Sequence, residues 1–231
     1  MLTVFYLSFT VLLYLLAKRM YRRTGSLLCS PLLFCPVAIV AILLFFGVPY
    51  EAYDQGGAWL TLMLKPATVA LAVPMYKYRA TIRKHLAEIL VSVTGGAVVA
   101  IVTSIAVANF FGVDAQLMAS LAPRSVTTPI AMGISEVLGG NPSITAVFVI
   151  CTGVTGTLFI SLLLRYLPAA TSPVTKGMLL GVTAHGTGTA RAYEFGQVEG
   201  VIASLAMIFM GLVSTVIARQ LVDACLQVIR G

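Results

Sequence analysis

The sequence predicts an all-α fold, a polytopic transmembrane helical bundle of about seven or eight apolar segments, some of them broken or re-entrant. Hydrophobic residues make up 59% of the chain and charged residues 10%, whereas a soluble domain carries about 25% charged residues. So few charges cannot cover a surface in water, which makes the lipid bilayer the expected solvent. The apolar runs follow one another with short connections, which predicts a single membrane domain over residues 1–231.

The positions of the basic residues exclude one class of partner and orient the first spans. The net charge is +7, and the bases between the first apolar runs form two clusters: Lys18, Arg19, Arg22 and Arg23, then Lys77, Arg79, Arg83 and Lys84. Such clusters are typical of cytoplasmic loops. Because both clusters lie between apolar runs, where cytoplasmic loops account for them, nucleic acid is not a predicted partner. The cysteines form no C-x-x-C pair, so no disulfide framework or metal site is predicted.

Candidate spans follow from the length of the apolar runs, since a spanning helix needs about 20 mostly apolar residues. They cover residues 2–17, 26–48, 58–76, 86–111, 118–138, 144–164, 177–192 and 198–218. The acidic loop 49–57 lies between two basic loops, which predicts an external N-terminus. The bases follow the first run instead of preceding it, so this run is predicted to be a retained helix and not a signal peptide.

Two topologies fit the second half of the chain. If 118–138 crosses the membrane, Arg165 and Lys176 lie outside. If it dips in and returns, Glu136 and Glu194 lie outside, and the cytoplasmic side carries Arg165, Lys176, Arg219 and Arg230. We favour the re-entrant arrangement because the positive-inside rule counts mainly lysine and arginine.

Three segments are too polar or too broken for a lipid-facing helix. Segment 118–138 contains Pro123 and Pro129, and the third apolar run contains Lys65-Pro66. Segment 181–192 places glycines, threonines and a histidine where leucines are expected. Such backbone survives at membrane depth only where protein or a polar cavity satisfies it.

Two internal matches raise the hypothesis of an inverted duplication with halves 1–112 and 113–231. One relates Pro36, Ala38, Gly47 and Pro49 to Pro129, Ala131, Gly140 and Pro142. The other relates PATVALAVP to AHGTGTARA, each followed by a long apolar helix, and it requires those two helices to be antiparallel. The two matches imply different alignments, so both cannot hold.

The polar groups inside apolar segments are the candidate substrate-binding residues, because a base at bilayer depth is costly. Arg124 suits recognition of an anion or snorkels to the interface. His185 shuttles a proton or bonds a neighbouring helix. The full set comprises Arg124, Ser125, Thr127, Thr128, His185, Gly186, Gly188, Thr189, Arg191, Pro66 and Thr68. No hydrolase or nucleotide-binding motif accompanies them, so no enzyme, catalytic residue, metal or cofactor is predicted.

At these residues the chain resembles the LrgB/CidB family of bacterial membrane proteins. The resemblance is carried by PATVALAVPMYK (66–77), RSVTTPIAM (124–132), GGNPSITA (139–146), TAHGTGTARAYE (183–194) and ASLAM (203–207). It implies a multi-pass inner-membrane protein, paired with a small LrgA/CidA-like membrane protein. It also implies either transport of small carboxylates, such as pyruvate or glycolate, or a holin- or antiholin-like control of murein hydrolases, autolysis and programmed cell death.

The convergent polar groups favour the carrier, since a non-selective pore needs few intramembrane charges. We therefore expect a transporter of small monocarboxylates with a site formed by segments 60–75, 118–138 and 181–192. The motifs Gly177-x-x-x-Gly181 and Gly196-x-x-x-Gly200 offer small faces for close helix contact, which predicts a homo-oligomer, at least a dimer.

Overall fold

The computed structural model describes residues 2–25, 29–70, 72–166 and 172–230, except the side chains at positions 32, 64, 65, 67, 68 and 230. This part of the chain forms eleven helices. They are α1 (Leu2–Thr24), α2 (Pro31–Phe45), α3 (Tyr50–Ala70), α4 (Ala72–Lys77), α5 (Arg79–Lys84), α6 (Leu86–Phe110), α7 (Ala115–Leu121), α8 (Thr128–Val137), α9 (Pro142–Tyr166), α10 (Pro173–Phe195) and α11 (Gln197–Arg230). The predicted all-α class is confirmed.

Four of the described helices are long and apolar enough to cross a membrane: α1, α6, α9 and α11. The apolar stretch of α2 is shorter, and the run 118–138 is divided between α7 and α8. The prediction of about seven or eight spanning segments is therefore not confirmed, because several apolar runs form short helices instead of full spans.

The chain separates into two compact units, Met1–Val73 and Pro74–Gly231. In the first unit α1 contacts α2 and α3. The rings of Tyr6 and Tyr53 meet edge to face at 5.9 Å. Gly56 allows the close approach of α3 to α1, because a β-carbon there would lie 2.8 Å from the carbonyl oxygen of Thr3.

In the second unit three long helices set the framework. Ile89 and Val93 of α6 pack with Ile202 of α11, while Ile105 of α6 packs with Val222 of α11, so α6 and α11 run parallel. The C-terminal part of α9 packs near the start of α11, so α9 is antiparallel to both. We call the end where α6 and α11 begin the near end, and the end where α6 finishes the far end.

A first hairpin, residues 115–141, leaves the far end and returns to it. It consists of α7, a turn over 122–127, and α8. The amide of Asn141 donates to Ser120 Oγ at 2.7 Å, and Thr145 Oγ1 donates to the Ser120 carbonyl at 2.9 Å. These bonds tie both limbs to the start of α9. Segment 118–138 therefore turns back on itself, which is the form that the re-entrant arrangement requires.

A second hairpin, residues 173–195, leaves the near end and returns to it. α10 reverses at His185, whose φ of 36° and ψ of −118° are not helical. Residues eight apart in a straight helix are separated by about 12 Å, yet a β-carbon on Gly188 would lie 2.0 Å from the Leu180 carbonyl oxygen. At the open end, Lys176 Nζ lies 5.9 Å from the centre of the Phe195 ring.

This second hairpin corrects the prediction that 177–192 crosses the membrane. Glu194 lies at the same end as Lys176 and not opposite it, and α11 carries Arg219 to the far end. The physical reason is the reversal at His185, which apolar length alone does not reveal. The second internal match is wrong for the same reason, because it required antiparallel α6 and α11.

Candidate functional site

The tip of the first hairpin is a stretch of non-helical backbone inside the second unit. α7 ends just before Pro123, and α8 begins at Thr128-Pro129, after Thr127 in an extended conformation. Proline at the second helical position is well tolerated, because its missing N–H would have had no partner there. Ser125 is buried, while Arg124 and Thr127 are partly buried.

The side chain of Arg124 is held by a neutral partner. Its Nε donates a 2.8 Å hydrogen bond to Ser104 Oγ of α6. The ion pairs among the described residues are His85–Glu88, Arg191–Glu194 and Arg219–Asp223, so none of these carboxylates neutralises Arg124. A partly buried guanidinium without a counter-ion is costly unless an anion joins it.

The tip of the second hairpin is His185, which is 5% exposed. Its imidazole faces the backbone of Arg124, so the two tips meet. The other side of the ring faces α9, where a β-carbon on Gly153 would lie 2.8 Å from Cε1. Its Nε2 is buried and has no hydrogen-bond partner among the described residues. A buried unpaired nitrogen carries a desolvation cost of about 1–3 kcal/mol, which a bound ligand would remove.

The meeting point of the tips lies deep in the helical framework. α9 has 25 residues and is therefore about 37 Å long, enough for a hydrocarbon core of about 30 Å. Gly153 lies near the middle of this helix. His185, which faces Gly153, therefore lies level with the middle of α9.

Hydroxyl groups surround the second tip. Thr187 Oγ1 lies 3.0 Å from Thr157 Oγ1 of α9, and Thr189 is buried with its hydroxyl 3.8 Å from Met207 Sδ. Gly186 has open space where a β-carbon would stand, whereas Gly188 is the point at which the two limbs touch.

The structure gives each described residue of the predicted site its own place. Ser125 and Thr127 belong to the same turn as Arg124, and the imidazole of His185 faces the Arg124 backbone. Arg191 lies on the returning limb, where its Nε donates to Ser161 Oγ at 3.2 Å and its guanidinium pairs with Glu194. Pro66 lies inside α3 of the first unit. The side chains of Lys65 and Thr68 lie outside the described residues.

Three residues at this site were missed in the sequence: Ser104 on α6, and Gly153 and Thr157 on α9. All three lie in apolar runs that are long enough for a spanning helix, so the sequence indicates only helix packing at these positions. A signal was present in α9, where TGVTGT (152–157) places small and hydroxyl residues in the middle of an apolar span.

The fold and the tips define a helical membrane protein with a polar junction between two opposed re-entrant hairpins. A model of the LrgB-like family matches residues 10–224, and the chain belongs to this family. It is 45% identical over 208 residues to YwbG of Bacillus subtilis, covering 90% of this chain and 92% of that protein.

Other relatives carry a more informative name. The chain is 33% identical over 213 residues to the holin-like protein CidB of Staphylococcus epidermidis, covering 92% of this chain and 93% of the relative. The same values hold for the holin-like protein CidB of Staphylococcus aureus. No solved structure gives a significant match. The predicted family is therefore confirmed.

Proposed function

We propose that this chain is a secondary transporter, or a transporter subunit, for small monocarboxylates such as pyruvate, glycolate and lactate. One observation carries the proposal: the buried imidazole of His185, whose Nε2 has no partner among the described residues, faces the backbone of Arg124. The guanidinium of the same Arg124 has no carboxylate partner among these residues. A carboxylate supplies both a negative charge for the guanidinium and an acceptor for an imidazole N–H.

The hairpins support a transport cycle. They leave opposite ends of the second unit and meet at their tips, so withdrawal of either tip would open the site toward one end only. Opposed discontinuous helices around a mid-depth site are the arrangement used for alternating access. In this proposal four residues supply hydroxyls around the bound anion: Ser125, Thr127, Thr128 and Thr189. Arg191 lies along the route that the anion takes past the second hairpin.

The setting of the transporter is part of the same proposal. We place the chain in the bacterial inner membrane with an external N-terminus, as a homo-oligomer that associates with a small LrgA/CidA-like membrane protein. The glycine faces that suggested a dimer are used within the chain, since Gly177 and Gly181 pack on α11 and Gly200 packs on Tyr193. The dimer therefore needs another surface.

The test is uptake of labelled pyruvate, glycolate and lactate into proteoliposomes under an imposed proton gradient, with and without the small partner. We expect saturable uptake that Arg124→Gln abolishes while the protein still inserts. Arg219→Gln is the control, because Arg219 is exposed and pairs with Asp223 at the far end. Uptake that is equal in both variants would contradict the proposed site.

A second candidate function is a holin- or antiholin-like membrane protein that regulates murein hydrolase activity, autolysis and programmed cell death. It is favoured by the name of the CidB relatives. The two functions differ in selectivity, because a pore passes any small solute whereas a carrier requires its substrate. Release of an uncharged fluorescent dextran from the proteoliposomes would favour the pore, and retention of the dextran during carboxylate uptake would favour the carrier.

A further inference from the structure

We infer that Ser104 is a positioning residue that holds Arg124 by its Nε and leaves the two terminal guanidinium nitrogens for the substrate carboxylate. The inference rests on the proposed function. It makes Ser104, a residue of the continuous helix α6 outside both hairpins, a determinant of carboxylate affinity.

The first step is the direction of the hydrogen bonds at Ser104. Its hydroxyl donates to the Ala100 carbonyl of the preceding turn. A serine hydroxyl has one proton and two lone pairs, so the oxygen remains available as an acceptor. A guanidinium can only donate, and its Nε donates to this oxygen at 2.8 Å. Ser104 is 3% exposed, so water does not compete for the contact.

The second step is the rigidity of the support. The turns of α6 on both sides of Ser104 carry Ile101, Ile105 and Ala108, which pack with Met118 and Ala122 of the entering limb of the first hairpin. One apolar cluster therefore holds both the helix that carries the Ser104 hydroxyl and the limb of the hairpin that leads to Arg124. This fixes the distance between Ser104 and the backbone of Arg124.

The third step concerns the edge of the guanidinium that remains. A carboxylate can bind either across Nε and one terminal nitrogen or across both terminal nitrogens. Because Ser104 occupies Nε, only the second mode is open. No hydrogen bond or ion pair joins the terminal nitrogens to another described residue. Ser104 therefore sets the orientation in which the carboxylate is bound, although it does not touch the substrate itself.

The test measures KM and maximal rate of pyruvate uptake in proteoliposomes. Ser104→Ala should raise the KM about tenfold, the size of effect typical for a hydrogen bond to a charged group. Thr103→Ala is the matched control, because Thr103 is exposed and its hydrogen bonds to described residues go to carbonyls of its own helix. We expect its KM to equal that of the wild-type protein. Equal KM values for the two alanine variants would overturn the inference.

An Arg124→Lys background separates positioning from simple structural support. The lysine ammonium is a compact point charge without the two-pronged donor geometry of a guanidinium. In the Arg124→Lys protein, Ser104→Ala should therefore change the KM less than twofold. A tenfold loss in both backgrounds would show that Ser104 acts through packing and would overturn the assignment. If Ser104→Ala does not insert, Ser104→Thr and Ser104→Val replace it, since they share a shape and only threonine keeps the hydroxyl. Threonine should then give the lower KM by about tenfold, and equal values would contradict the role.

The wild-type protein distinguishes the two levels of the proposal. Without saturable uptake of pyruvate, glycolate or lactate by the wild-type protein, the proposed function fails and the assignment of Ser104 falls with it. With saturable uptake and no effect of Ser104→Ala, only the positioning role fails.

Discussion

Gly153 of α9 stands against the imidazole of His185, so closely that a β-carbon would lie 2.8 Å from the ring Cε1 and 2.8 Å from Thr187 Oγ1. A spanning helix thereby provides the surface on which the tip of the second hairpin rests. The small side of α9 and the reversal of α10 are parts of one arrangement. The imidazole held there faces the backbone of Arg124.

Gly153→Ala should displace the tip of the second hairpin. The added methyl group overlaps the ring of His185, and overpacking of this kind costs about 1–3 kcal/mol. We expect a lower melting temperature in detergent and loss of carboxylate uptake. Gly95→Ala on α6 is the control, because a β-carbon there meets nothing within 4 Å and alanine favours a helix by about 1 kcal/mol over glycine. If both variants behave alike, the tip does not rest on Gly153.

The glycines at positions 186 and 188 should differ in their tolerance of alanine. Gly188→Ala places a methyl group against the Leu180 carbonyl of the opposite limb, whereas Gly186→Ala finds open space. We expect Gly188→Ala to lower the folded yield and Gly186→Ala to leave it unchanged. The measurement is the monodisperse fraction after size-exclusion chromatography. Equal yields would mean that the two limbs do not touch at Gly188.

The second hairpin predicts that Ser172 and Gln197 are accessible from the same side of the membrane. Both residues are exposed and flank α10. We expect an impermeant thiol reagent to label cysteine at either position only from the cytoplasm, because α6 begins at the same end after the basic segment 77–85. Asp223→Cys should be labelled only from outside. The background protein lacks Cys29, Cys35, Cys151 and Cys225. Labelling of the first two positions from opposite sides would exclude the hairpin.

His185→Ala should change the pH dependence of uptake more than its maximal rate. An imidazole can gain and lose a proton, and no other imidazole lies at the tips among the described residues. We expect the pH profile of uptake to become flatter in this variant. The control is His85→Ala, because His85 is an interfacial residue that pairs with Glu88. A profile of the same shape in the wild-type protein and in His185→Ala would contradict a role for the imidazole in proton coupling.

Four features could be predicted from the sequence alone: the helical class, the membrane setting, the family and a break in the segment 118–138. These properties follow from local quantities: apolar run length, charge placement, and prolines that a lipid-facing helix cannot contain. The polarity of 124–128 and 183–191 also marked both tips as unfit for lipid. For that reason Arg124 and His185 could be predicted to lie together.

Other features depend on the packing of helices against one another, which those local quantities do not specify. The run 177–192 is a candidate span in the sequence, and only the positive φ of His185, with Gly188 against Leu180, turns it into a hairpin. Ser104, Gly153 and Thr157 became part of the site because α6 and α9 present them to the tips. Contacts between residues distant in sequence depend on how helices pack, and apolar periodicity does not encode which small residue will face a neighbouring tip.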